Sequence, residues 1–262
     1  MLKLTRSNYY SAEANKEYFS ASQVKSFLTC EAATMAELRG EWTRPESVSL
    51  LIGSYIDASF ESKAAYSEFV RTHPQIFKRD GSPKAEYAKA DQMIQRAKAD
   101  AVFMKYMSGR KQVIKTGFIG GIPFKARFDA YKKGVRIVDL KTVKDMQTLY
   151  KPGYGRLTPI EYWMWDLQMA IYSAVEGNDL PTYLAIITKE DPPAPYLVEI
   201  GRFEREACLA FLLEKLPRFD AIKRGIVEPE RCENCAYCRA TKRIAKPLTL
   251  SELRFGEFDL EE

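Results

Sequence analysis

Asp139 and Lys141 stand two residues apart in Val135–Thr142 (VRIVDLKT). A strand would send both side chains from one face while Leu140 points to the other. Upstream, Asp129 ends the alternating run Phe124–Asp129 (FKARFD), and Lys132-Lys133-Gly134 supplies a turn between the two segments. The resulting hairpin brings Asp129 towards Asp139 and Lys141. Two carboxylates and an ammonium on adjacent strands are what a divalent cation and a scissile phosphate require. Carboxylate oxygens are the hard ligands Mg²⁺ selects, and a lysine beside them can orient water or steady developing negative charge. Alone, D-x-K is also a common pattern of a solvated strand face. In this chain Val135, Ile137, Val138 and Leu140 mark a central strand, where charged side chains need a reason.

A second group with metal-binding spacing lies near the C-terminus. Cys232, Cys235 and Cys238 form C-x₂-C-x₂-C, close enough for three thiolates to converge on one ion or cluster. The fourth ligand has two candidates. Cys30, in FLTCEAATMAEL, would tie the two ends of the chain together. Cys208 lies in the helical pattern EACLAFLLEKL and reads as core. Four thiolates fit a [4Fe–4S] cluster or a structural Zn²⁺; free surface thiols are the plain alternative.

These residues need elements to position them. Ser20 or Ser22 can cap a helix whose Val24, Phe27 and Leu28 share a face. Residues 49–62 read as a helix on which Asp57 and Glu61, four apart, share a face. That face is either an exposed acidic stripe or the source of a further carboxylate for the metal site. After Ser82-Pro83 one long amphipathic scaffold helix is expected, with Tyr87, Ile94, Ala97, Ala101 and Met104 on its apolar side. Lys111–Ile119, a Gly120-Gly121 turn and Ile122–Asp129 make a hairpin, and Val135–Thr142 completes a meander of three strands. Residues 144–158 read as a loop rich in Gly, Pro and Tyr, in which Lys151 and Arg156 could contact phosphates. Pro159 opens a helix through Glu176, on which Gln168 and Tyr172 share a face. Strands at 183–188 and 196–200 and a helix from Glu204 to Lys223 follow.

The chain has 262 residues, 46% hydrophobic and 12% aromatic, enough for a sizeable core. Its net charge of +5 permits nucleic-acid binding without arguing for it. No apolar run has the length of a membrane span, and MLKLTRSNYY lacks a secretory signal, so a reducing cytoplasm is the expected compartment. His73, the single histidine, precedes a proline in a loop, which leaves histidine-based nucleophilic catalysis weakly supported. Residues 1–246 read as one domain and 247–262 as an acidic tail.

The order of these segments resembles the PD-(D/E)XK nuclease superfamily, specifically the phage exonuclease-like group related to RecE (exodeoxyribonuclease VIII) and the RecB nuclease domain. The likeness covers about residues 20–240 and rests on GSYIDASFE at 53–61, FKARFDA at 124–130, VDLKT at 138–142 and QMAIY at 168–172. It implies an α/β restriction-endonuclease-like core, a central mixed sheet flanked by helices, and Mg²⁺- or Mn²⁺-dependent hydrolysis of DNA. It also implies Glu61, Asp129, Asp139 and the Leu140 carbonyl as metal ligands, Lys141 as the catalytic lysine, and Gln168 and Tyr172 as its support. Asp57 stands where many RecB-like members carry histidine, and an oxygen ligand could replace the imidazole. SQVKSFLTC with the late cysteines is similar to AddB-type nucleases, in which an early and three late cysteines hold an iron–sulfur cluster; the late spacing in this chain is tighter. The group further implies resection of double-stranded ends for a single-strand annealing partner, and ring-forming homo-oligomers occur in it. A flap or structure-specific endonuclease on the same site, and a non-catalytic DNA-binding module, are the other readings.

Overall fold

Serine hydroxyls start most of the N-terminal helices. The computed structural model describes residues 1–45, 47–244, 247 and 249–251. Ser11 and Ser20 each accept a backbone N–H three residues on, opening α1 (Ala12–Glu17) and α2 (Ala21–Thr29). Cys30 ends α2, and its sulfur accepts Ala33 N–H to open α3 (Glu31–Arg39). Ser47 and Ser62 cap α4 (Val48–Glu61) and α5 (Lys63–Thr72) in the same way. The N-terminal residues pack on the main domain: Tyr9, Tyr18 and Phe19 are buried, and Phe19 bridges to Phe124.

The long helix expected after Pro83 is two helices, α6 (Ala85–Lys98) and α7 (Ala101–Tyr106). Asp100 leaves the helical conformation, and its carboxylate accepts Phe103 N–H at 2.9 Å to start the second helix. The apolar face rotates as a result: Phe103 and Met107 are buried, whereas Ala101 and Met104 are exposed.

Three antiparallel strands follow, β1 (Arg110–Ile119), β2 (Ile122–Lys132) and β3 (Arg136–Val143). Gly120 and Gly121 both have positive φ, 56° and 78°, which the tight β1–β2 turn requires. The segment read as a loop instead carries a small hairpin, β4 (Leu149–Lys151) with β5 (Gly155–Leu157). The helix read from Pro159 to Glu176 is broken. Thr158 and Glu161 form a capping box on α8 (Pro159–Tyr162), Met164 turns left-handed at φ 52°, and α9 runs Trp165–Glu176. Trp163 falls at the break and is exposed. Then come β6 (Thr182–Thr188), β7 (Pro195–Ile200), α10 (Arg202–Lys223) and the short α11 (Ala236–Ala240).

The main sheet has the order β1-β2-β3-β6-β7, in which β3 and β6 pair in parallel and the rest antiparallel. A parallel pair needs a long crossover, here α8 and α9. Ile137, Leu184 and Ile186 face α9, α10 and α2, while Val138, Leu140, Ala185 and Ile187 face α4, α6 and α7. Strands covered on both faces are apolar throughout, which explains the runs around Asp139 and in YLAIIT. The architecture is the expected α/β core, a mixed sheet flanked by helices. Residues 252–262 of the expected acidic tail lie outside the described residues.

Candidate active site

Irregular backbone on both sides of Asp129 places its carboxylate. The β1–β2 ladder runs from Arg110↔Tyr131 to Ile119↔Ile122, with one gap between Lys111↔Ala130 and Val113↔Phe128. Gln112 and Asp129 face each other there, and Gln112 has φ 52°. The two strands change phase at this point, so that Phe128 joins the α9 core and Ala130 the α4 core. On the other side β2 pairs with β3 only from Ala130↔Val138 to Lys132↔Arg136. Leu140 N–H donates to Asp129 Oδ2 at 2.8 Å, the side chain standing in for a main-chain acceptor. Gln112 Nε2 donates to Oδ1 at 3.3 Å.

Asp139 is 2% exposed. Gln168 Nε2, on α9, donates to its Oδ1 at 2.9 Å and to Tyr172 Oη at 3.0 Å. The Lys141 ammonium lies against Asp139 Oδ2. The Gln168 amide is fixed from its other end by Lys25 of α2, whose Nζ donates to Oε1 at 2.9 Å. Asp57, Arg127, Asp129, Asp139, Lys141 and Gln168 line one open cleft with a volume of about 780 Å³.

The electrostatics of the cleft are those of carboxylates short of positive charge. Burial raises the Asp129 pKa to about 7, with the Asp139 carboxylate adding to it. Burial and then Asp129 hold Asp57 well above the ordinary carboxylate range. Burial pulls Lys141 down, but Asp139 and Asp129 outweigh it and leave the ammonium above its ordinary pKa. Burial, and next the Lys141 charge, lower Lys25 to about 7. One buried carboxylate, Asp139, and two half-buried ones, Asp57 and Asp129, line the cleft with Lys141 and Arg127, and an all-oxygen set of this kind fits a site for a hard divalent cation.

The residues expected from sequence are not all in this cleft. Asp57 supplies the acid from α4; Glu61, expected in that role, lies one turn further along the helix and outside the cleft lining. Arg6 Nη1 holds Glu61 at 2.7 Å. Lys151 and Arg156 sit on the β4–β5 hairpin, also outside the lining. Lys151 lies 4.6 Å from the Tyr154 ring centroid, and Arg156 Nη1 donates to Thr148 at 3.4 Å. Gln112, Lys25 and Arg127 are site residues that sequence pattern does not single out. Arg127 had a signal, since it precedes Asp129 by two on a strand. Lys25 looks like any helix lysine, and nothing marks Gln112.

The four thiols of Cys30, Cys232, Cys235 and Cys238 do come together. Their sulfurs all lie within 4.8 Å of one another, the one group of three or more His, Cys, Asp or Glu this close among the described residues. The carboxylates of the cleft are spread more widely. Cys30 Sγ is 3.6 Å and Cys232 Sγ 4.0 Å from Cys238 Sγ. Ala33, Cys235 and Cys238 N–H groups point at the sulfurs of Cys30, Cys232 and Cys235, as thiolates bound to a metal require. Burial raises the Cys232 thiol, but the N–H groups of Asn234 and Cys235 outweigh it and bring the pKa to about 7. Glu31, next to Cys30, braces the clasp: Arg218 grips its carboxylate with two bonds of 2.8 Å, and Glu230 N–H adds a third. Cys208 is not part of the group.

A family model described as a PDDEXK-like domain of unknown function matches residues 20–241. Among solved structures, the chain is similar to a "Putative exonuclease" from Eubacterium rectale. The two share 37% identity and a TM-score of 0.92 over 98% of this chain and 100% of that one. No curated protein matches.

Proposed function

Because the chain belongs to the PDDEXK-like domain family, and is a metal-dependent nuclease by that membership and its likeness to an exonuclease structure, we propose that it is a Mg²⁺- or Mn²⁺-dependent deoxyribonuclease that resects double-stranded DNA ends. The observation that carries this reading is one cleft lined by Asp57, Asp129, Asp139 and Lys141, in which the Lys141 ammonium lies against Asp139 and Gln168 is bonded to Asp139. Asp57, Asp129, Asp139 and the Leu140 carbonyl would hold the cation. When bound, such an ion lowers the pKa of a water, polarises the phosphate and steadies the leaving oxygen.

The chain's own groups do the rest. Leu140 N–H and Gln112 fix Asp129, and Gln168 fixes Asp139, so neither carboxylate must reorganise when phosphate arrives. Lys141 stays protonated beside Asp139 and is placed to orient water or offset charge on the phosphate. Arg127, half-buried on β2 at the cleft, offers positive charge to the DNA backbone, which is bound without reading sequence.

Phage-type recombination with a single-strand annealing partner, and self-association around DNA, extend this reading. The four cysteines support a metal-bearing clasp. C-x₂-C-x₂-C with a remote fourth cysteine is a spacing of iron–sulfur proteins. Sulfur separations of 3.6 and 4.0 Å favour a second reading, one tetrahedral Zn²⁺, whose Zn–S bonds of about 2.3 Å set sulfurs about 3.8 Å apart.

Lys141→Ala should abolish Mg²⁺-dependent digestion of linear duplex DNA while leaving the melting temperature near wild type; retained digestion rejects the assignment. Wild-type protein should spare covalently closed circles, and cutting them would identify an endonuclease instead.

A further inference from the structure

The first ten residues carry an aromatic group that the catalytic reading does not use. Tyr10 is 64% exposed, although it borders the cleft that holds Asp57 and Asp129. An exposed tyrosine at the end of a turn is ordinarily free to swing. This ring is held on two sides. The Arg127 guanidinium lies 4.9 Å from its centroid, and the Tyr9 ring meets it edge-on, centroids 4.9 Å apart at 90°. Tyr9 is itself fixed. It is buried, its carbonyl accepts the Lys125 ammonium, and its N–H donates to Thr5 at 3.0 Å.

Arg127 precedes Asp129 by two on β2, and both line the cleft. The Tyr10 ring packed on Arg127 therefore borders the same cleft as the carboxylates. The Arg127 cation on β2 and the exposed, braced Tyr10 ring beside it match the two halves of a nucleotide. A base stacks on an aromatic face whatever its identity, and its phosphate lies against the cation. A paired base inside a duplex has both faces covered by its neighbours, so the seat is closed to the duplex interior and open only at an end, most fully to a frayed or unpaired base.

We infer that Tyr10, braced by Arg127 and Tyr9, is a stacking platform for the unpaired nucleobase beside the scissile phosphate, so that the enzyme engages the frayed or single-stranded end of its substrate. The position beside a scissile phosphate rests on the nuclease reading, but the binding seat is tested without cleavage.

The probe is an oligodeoxynucleotide duplex with 2-aminopurine in a short unpaired end, mixed with full-length protein in EDTA. Stacking on the platform quenches the fluorescence. Wild type and Tyr10→Phe should quench to the same extent. Tyr10→Leu, which keeps apolar bulk and loses the π face, should quench little and bind about tenfold or more weakly. In Mg²⁺, kcat/KM of Tyr10→Leu should fall by a similar factor on a short unpaired end. An absence of quenching by wild type, or quenching by Tyr10→Leu equal to wild type, overturns the platform. Tyr10-dependent quenching together with undiminished cleavage by Lys141→Ala would instead retain the platform and reject the nuclease assignment.

Discussion

Gln112 and Asp129 face each other across the one gap in the β1–β2 ladder, and the Gln112 amide donates to the Asp129 carboxylate at 3.3 Å. Gln112 is 7% exposed, its φ is 52°, and its Oε1 finds no donor among the described residues. A left-handed backbone and an unsatisfied buried oxygen both cost stability, and such costs concentrate at functional sites.

Gln112→Gly separates the two roles of that residue. Glycine accepts the positive φ without strain, so the variant should melt within a few degrees of wild type. The freed Asp129 should weaken Mn²⁺ binding about 10- to 100-fold, read by electron paramagnetic resonance of free Mn²⁺. Unchanged Mn²⁺ affinity would leave Gln112 a purely structural residue.

Asp57 and Glu61 share a helix face but have different surroundings. Asp57→Asn should eliminate Mg²⁺-dependent cleavage. Glu61→Gln breaks only the Arg6 ion pair, whose arginine is mostly exposed, and should cost no more than about 1 kcal/mol. Activity of Glu61→Gln should match wild type; an inactive Glu61→Gln beside an active Asp57→Asn would make Glu61 the metal ligand and Asp57 the bystander.

Lys25 reaches Gln168 from α2, the helix that ends at Cys30. Lys25→Met should lower kcat about 10- to 100-fold through a misdirected Gln168 amide, and Lys25→Arg should restore part of it. An unchanged kcat in Lys25→Met would confine the lysine to packing.

If the four thiols hold a metal as proposed, Cys30→Ser should abolish its binding and lower the melting temperature, because Cys30 joins α2 and α3 to residues 232–238. Because Lys25 sits on the same short helix, cleavage should fall with metal loss. Absorbance of anaerobically purified wild type reads the metal. A broad band at the blue end of the visible means iron–sulfur, and a colourless protein with one zinc per chain means the tetrahedral ion. A metal-free, equally stable wild type would remove the clasp.

Lys125, buried, and Lys223, half-buried, make stability depend on pH. Burial and then Lys125 lower Lys223 to about 7, and burial lowers Lys125 to about 8; in the unfolded chain both titrate near 10.4. Between about pH 7 and 10 the unfolded state therefore binds more protons than the folded state, and these groups make stability rise with pH. They contribute no further slope below their folded pKa values or above the unfolded one. Lys223→Met should lose part of the rise in melting temperature between pH 7 and 9 seen in wild type. Parallel profiles would mean that Lys223 titrates normally.

Local pattern was sufficient for much of this molecule. The alternation around Phe124–Asp129, the turn at Lys132–Gly134 and the apolar run around Asp139 identify the hairpin and its D-x-K pair, because strand periodicity and turn chemistry act over a few residues. The i,i+4 spacing of Gln168 and Tyr172 survives the break at Met164, since both lie beyond it on α9. Cysteine spacing likewise marks the clasp.

Other features depend on partners distant in sequence. Asp57 and Glu61 are equivalent on a bare helix. What distinguishes them is the seating of α4 against β3, which turns one into the cleft and leaves the other to Arg6. The choice of Cys30 over Cys208 required α2 and α3 to meet residues 232–238. Gln112 carries no signal of its own, because its left-handed backbone and its place opposite Asp129 are set by the pairing of two strands. The sequence by itself determined which chemistry was present, through residue type and spacing. Only the tertiary structure decided which carboxylates, amides and rings share the cleft, because close packing of α2, α4 and α9 on the sheet sets distances that no local pattern contains.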